Sequence, residues 1–122
     1  MNKLIFVLLI PLSSFCQEFI NSSSFESKTA KGISVIEFWA EWNKSNEVSF
    51  LGSLKDCSVY RVCIVKGASI KNKYNISTIP TLIIFDNGNE VKRFNPNIMM
   101  QLASNKKDVQ SEIDKIILNK FQ

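Results

Sequence analysis

The sequence predicts one α/β domain with a central mixed β-sheet flanked by helices. Three observations carry that expectation. Apolar strands alternate with helical stretches along most of the chain. The apolar run Leu82 to Phe85 meets the turn Asp86-Asn87-Gly88-Asn89, whose Asn-Gly pair suits a tight hairpin. The strand around Phe38 runs straight into a short polar turn, which is where α/β proteins usually place their chemistry.

The chain has 122 residues, enough for one domain with a real core. Its first sixteen residues read as a signal peptide, with Lys3, the apolar run Leu4 to Ile10 and a small-residue exit at Ser14 and Cys16. The apolar run is too short to span a bilayer. Cleavage after Cys16 leaves residues 17–122 as the mature domain and places it in the periplasm or outside the cell. Cys16 as a lipid-bearing cysteine is the alternative, and bulky Phe15 fits that signal poorly.

In the mature part, Glu18 to Asn21 suits a short strand. Ser22-Ser23-Ser24 can cap a helix running from Phe25 to Ala30, and Lys31-Gly32 closes it. Ile33 to Trp39 follows as a strand covered on both faces, since Val35, Ile36, Phe38 and Trp39 are β-branched or aromatic. Glu37 is its anomaly, because a carboxylate inside a buried strand needs a partner or a proton. After Ala40-Glu41-Trp42 comes the polar group Asn43-Lys44-Ser45-Asn46, where Asn43 is placed to cap a helix. Val48, Leu51 and Leu54 then predict a helix over 46–54 with one buried stripe.

Val59 to Val65 is the next strand and carries Arg61. Lys66-Gly67 breaks it, and a short helix covers Ser69 to Tyr74. Ile79-Pro80-Thr81 leads into the strand Leu82 to Phe85, and Glu90 to Phe94 returns antiparallel. Ile98 to Leu102 is either an edge extension or a loop. The last helix runs from Lys106 to Asn119, with Val109, Ile113, Ile116 and Ile117 on its buried face.

Composition removes several function classes. There is no histidine, so histidine acid/base catalysis and most zinc sites are absent. No cofactor or metal is expected, since the chain has neither a Gly-rich phosphate loop nor clustered carboxylates, and the Asp86 turn is too short for calcium. The net charge of +4 is modest and its lysines are scattered, which gives no footprint for nucleic acid. Of the three cysteines, cleavage removes Cys16. A straight strand would hold Cys57 and Cys63 roughly 20 Å apart, so two separate, largely buried thiols are expected rather than a bridge.

Taken together, Phe38-Trp39-Ala40-Glu41-Trp42 and Ile79-Pro80-Thr81 resemble two segments of the thioredoxin family, the stretch before its redox motif and its cis-proline loop. The resemblance covers nearly all of the mature chain and implies a thioredoxin-like fold and protein-disulfide reductase activity. It also implies that Glu37 occupies the position of the family's buried acid and Arg61 that of the acid's lysine partner. The family's turn is Cys-Gly-Pro-Cys, whereas Asn43, Lys44, Ser45 and Asn46 stand here, and amides cannot become thiolates. With no thiol to serve, Glu37 and Arg61 read as a structural buried pair. The resemblance further implies a surface for an extended peptide around Trp42, Asn43, Ile79, Pro80 and Thr81.

Three functions remain open on this reading. The chain is a redox-inactive exported module that binds a peptide or protein through the Trp42/Pro80 face. Alternatively it is an unusual oxidoreductase using Cys57 or Cys63 as a single reactive thiol. The third is an accessory subunit that touches its partner elsewhere.

Overall fold

The computed structural model describes residues 18–121, and the expected signal peptide and Cys16 lie outside them. Among the described residues, five strands form one sheet in the order β1-β3-β2-β4-β5. These are β1 (Glu18–Phe19), β2 (Ile33–Trp39), β3 (Ser58–Cys63), β4 (Thr81–Asp86) and β5 (Asn89–Phe94). The α-helices among the described residues are α1 (Ser22–Thr29), α2 (Ala68–Lys73) and α3 (Lys106–Lys120). β3 runs parallel to both β1 and β2, while β4 runs antiparallel to β2 and to β5. The sheet is therefore mixed, and helices flank it.

β2 is central and buried along its whole length, because the period-two alternation of a strand sends its side chains into two cores. Ile36 and Phe38 join Phe25, Val62, Ile83 and Phe85 on one face. Ile33 and Val35 join Val48, Leu51, Leu82, Val109 and Ile113 on the other. Glu37 belongs to this second set by parity, and its register partner on β3 is Arg61.

The hairpin between β4 and β5 forms at Asn87 and Gly88, with φ of +52° and +86°. Both values belong to the left-handed region that two-residue hairpin turns require, which Asn and Gly adopt at least cost. Asn87 also ties the turn back to the start of β2, since its Oδ1 accepts from the Gly32 N–H at 2.7 Å.

The helix termini follow from local chemistry. α3 begins at a capping box in which Asn105 accepts from the Asp108 N–H and Asp108 accepts from the Asn105 N–H. α1 begins earlier than its serines suggest, because Asn21 caps it and Ser24 closes the reciprocal bond.

The helix expected over 46–54 does not form. Two 3-10 turns, Glu41–Asn46 and Leu51–Ser53, stand there with an irregular stretch between them. Strict three-residue spacing of Val48, Leu51 and Leu54 is also the repeat of a 3-10 helix. The deeper reason is that both backbone groups of Val48 are bonded to side chains and cannot join an α-helical ladder. Ile98 to Leu102 resolves as a loop, closed by an isolated antiparallel bridge between Pro96 and Leu102. No helix among the described residues is long and apolar enough to cross a membrane.

Candidate functional site

Beneath the turn that follows β2, Glu37 is fully buried and Arg61 is 7% exposed. The Arg61 Nε–H donates to Glu37 Oε1 at 2.8 Å. The second carboxylate oxygen, Oε2, accepts from the Val48 N–H at 2.8 Å. Arg61 Nη2 completes the ring by donating to the Val48 carbonyl at 2.8 Å. Glu47 Oε2 lies farther off, 3.9 Å from Arg61 Nε. Burial pushes the Glu37 carboxyl above its ordinary value, while the Val48 N–H and the Arg61 guanidinium oppose that push. The pair thus clamps the backbone of Val48 as well as balancing two buried charges.

Above the clamp, the chain between Trp42 and Glu47 presents no thiol. The Asn43 side chain does not cap a helix; the residue sits at a kink in the segment Glu41–Asn46, with non-helical φ of −117° and ψ of 25°, and is 8% exposed. Its Nδ2 donates to the Met100 carbonyl at 3.1 Å, and its Oδ1 accepts from Asn46 Nδ2 at 2.9 Å. Both ends of this amide are therefore engaged within the protein. Lys44 and Ser45 point to solvent.

The Ile79-Pro80 peptide bond is cis. Ile79 is 2% exposed, Thr81 is 1% exposed and Pro80 is buried. The Thr81 hydroxyl donates to the Thr78 carbonyl at 2.6 Å. Trp42, by contrast, is 64% exposed. Ile98 and Met99 are exposed as well, at the tip of the loop that Asn43 holds through Met100. That loop is ordered by Asn97, whose Oδ1 accepts from the Met99 and Gln101 N–H groups. Sequence reasoning missed Ile98 and Met99, although two adjacent apolar residues in an Asn/Pro-rich loop were a visible signal.

Among the described residues the two cysteines, Cys57 and Cys63, are free and partly buried, and they occupy different surroundings. Cys57 packs against the core that contains Val48 and Val109. Burial, with Asp56 beside it, pushes its thiol up to about 11. Cys63 ends β3 in register with Trp39, at the margin of the sheet rather than in the core below Glu37. Trp39 is 6% exposed and packs against Phe19 in a tilted pair, with ring centroids 5.4 Å apart and planes at 43°. Among the described residues, no group of three or more carboxylates and cysteines is placed to hold a metal ion.

No protein-family model matches the chain. A thioredoxin of Chlamydia pneumoniae is 31% identical over 80 residues, which cover 61% of this chain and 78% of that protein. A thioredoxin of Staphylococcus epidermidis is 26% identical over 81 residues, with the same shares covered, 61% and 78%. Among solved structures, the N21Q mutant thioredoxin from Halobacterium salinarum superposes with a TM-score of 0.66 at 16% identity, over 81% of this chain and 88% of that one. A Malassezia sympodialis thioredoxin superposes with a TM-score of 0.65 at 20% identity, over 89% and 96% of the two chains. The two structural likenesses show the fold.

Proposed function

The chain belongs to the thioredoxin family, and on that premise we propose that it is a redox-inactive, exported member that binds a protein or extended-peptide partner through the face carrying Trp42. The observation that carries this reading is the state of Asn43. Dithiol exchange needs an accessible thiolate where the turn leaves the strand, and a buried amide bonded at both ends stands there instead. Asn46, at the resolving position, is tied to Asn43 and carries no sulfur either.

The contact surface consists of Trp42 together with Ile98 and Met99, which are 64%, 100% and 68% exposed. Large exposed apolar side chains on a fixed scaffold are the groups that anchor protein contacts. Asn43 ties the loop of Ile98 and Met99 to the turn through the Met100 carbonyl, and Ile79, Pro80 and Thr81 are buried. Export rests on the leader-like residues 1–16.

Two measurements test the reading. Purified protein is expected to show no catalytic reduction of a disulfide substrate such as insulin; sustained turnover would overturn redox inactivity. Capture of partners from an exported fraction is expected to fail for Trp42→Ala and for Ile98→Ser/Met99→Ser, with thermal unfolding unchanged. Undiminished capture by both variants would place the contact on another surface.

A further inference from the structure

The loop between β5 and α3 sets two methionines side by side in unlike surroundings. Met99 is 68% exposed at its tip, next to the fully exposed Ile98. Met100 is half-buried and packs against the core that contains Phe25 and Phe38. The remaining methionine, Met1, belongs to the leader-like stretch. Bonds within the loop fix this difference. Asn97 Oδ1 accepts from the Met99 and Gln101 N–H groups at 2.9 and 3.1 Å, and the Asn97 carbonyl accepts from the Met100 N–H at 3.0 Å. Met100 adopts a left-handed φ of +59°, and its carbonyl accepts from Asn43 Nδ2 at 3.1 Å. One bond therefore joins the residue after Trp42 to the residue after Met99. None of these bonds uses a thioether, so a chemical change at the Met99 sulfur leaves the framework of the loop intact.

We propose that Met99 is an oxidation site that regulates the contact face: its sulfoxide weakens the partner contact, and reduction restores it. This rests on the reading of Trp42, Ile98 and Met99 as one contact surface. The oxidant is a hydroperoxide. The Met99 sulfur attacks the terminal peroxide oxygen, an S–O bond forms and the O–O bond breaks. The proton on the attacked oxygen passes to the departing one, which leaves as water or an alcohol. Sulfur gives up two electrons and the peroxide takes them, so nothing further enters. Oxidation replaces a flexible apolar side chain by a polar, chiral one. A partner surface that accepts an apolar side chain offers the new oxygen no donor. Burying it there weakens binding about tenfold. Met100 has the same chemistry, but its packing keeps the oxidant from its sulfur, which makes it an internal standard for Met99.

The folded full-length chain is treated with dilute hydrogen peroxide and then with a thiol reductant. The reductant reverses sulfenic acids and disulfides at Cys57 and Cys63 and leaves the sulfoxide. Peptide mapping should find Met99 oxidised about tenfold faster than Met100, with the two rates converging in denaturant. Retention on a phenyl-substituted matrix reads the face without any partner. The oxidised parent should elute earlier with thermal unfolding unchanged, and methionine sulfoxide reductases of both stereospecificities should return it to its original position. Met99→Leu, compared with itself before and after peroxide, should not shift. Partner capture from an exported fraction should fall about tenfold for the oxidised parent and recover on repair. Equal folded-state rates at Met99 and Met100, a peroxide shift that persists in Met99→Leu, or undiminished capture by the oxidised parent would each overturn the proposal. Failure of the contact reading has a different signature. Trp42→Ala then captures as much as the parent, and the regulation falls with that reading while the mapping still assigns the oxidation to Met99.

Discussion

Replacing Glu37 by leucine tests whether the buried pair holds the segment after the turn. The substitution removes the Arg61 Nε bond and the Val48 N–H bond, both at 2.8 Å. It leaves Arg61 with the Val48 carbonyl at 2.8 Å and with Glu47 at 3.9 Å. Removing one member of a buried ion pair costs about 3–5 kcal/mol, and the retained contacts of Arg61 favour the lower end, about 3 kcal/mol. The double variant Glu37→Leu/Arg61→Leu relieves the buried charge but strips Val48 of both partners, and each stranded backbone group costs about 1–3 kcal/mol. The double variant should therefore be more stable than the single one by about 1 kcal/mol, and still less stable than the parent by about 2 kcal/mol. Urea unfolding at neutral pH measures this; with a slope of about 1.5 kcal/mol/M the single variant's midpoint falls by about 2 M. Equal losses in the two variants would show that the charges are not coupled. A double variant as stable as the parent would show that the clamp on Val48 contributes nothing.

Three further outcomes are expected. Because burial raises the Glu37 carboxyl, the folded chain holds that proton more tightly than the unfolded chain. Its contribution to stability is then present below the ordinary value of 4.5 and is lost as pH rises from there through the raised value. The stability of the parent relative to Glu37→Gln should fall across that window, and a flat difference would contradict the raised carboxyl. Asn43→Ala removes the bond to the Met100 carbonyl and should cost about 1–2 kcal/mol. It should also speed hydrogen exchange at the Met100 N–H, which bonds to Asn97; unchanged exchange would mean that the loop stands without Asn43. Cys57, with its thiol near 11, should react with a chromogenic disulfide at about pH 8 only as the chain unfolds. Rapid labelling of Cys57 in the folded state would show that its thiol is accessible there and refute the expectation.

Much of the architecture was legible because its causes are local. The Asn87-Gly88 turn needs two positive φ angles and has the two residues that supply them most readily. Val109 and Ile113 lie one helical turn apart and are buried together on α3. The run 46–54 was misread because its spacing suits two kinds of helix, and a side chain eleven positions earlier in the chain chose between them. Of the residues proposed for the face, Trp42 is exposed, whereas the side chains of Asn43, Ile79 and Thr81 are buried, and burial depends on what the folded chain packs against them.

By itself the sequence determined the order of the strands and of α1, α2 and α3, the hairpin, the buried acid on β2 and the lack of sulfur between Trp42 and Glu47. Tertiary structure alone decided what those residues do. Glu37 meets Arg61 across 24 positions, a pairing that only the family resemblance offered in advance, and Asn43 meets Met100 across 57, a bond that leaves no trace in any short window of the chain. Periodicity and turn chemistry act over a few residues, whereas a partner for a buried charge or an amide is supplied by whatever strand or loop the topology brings alongside.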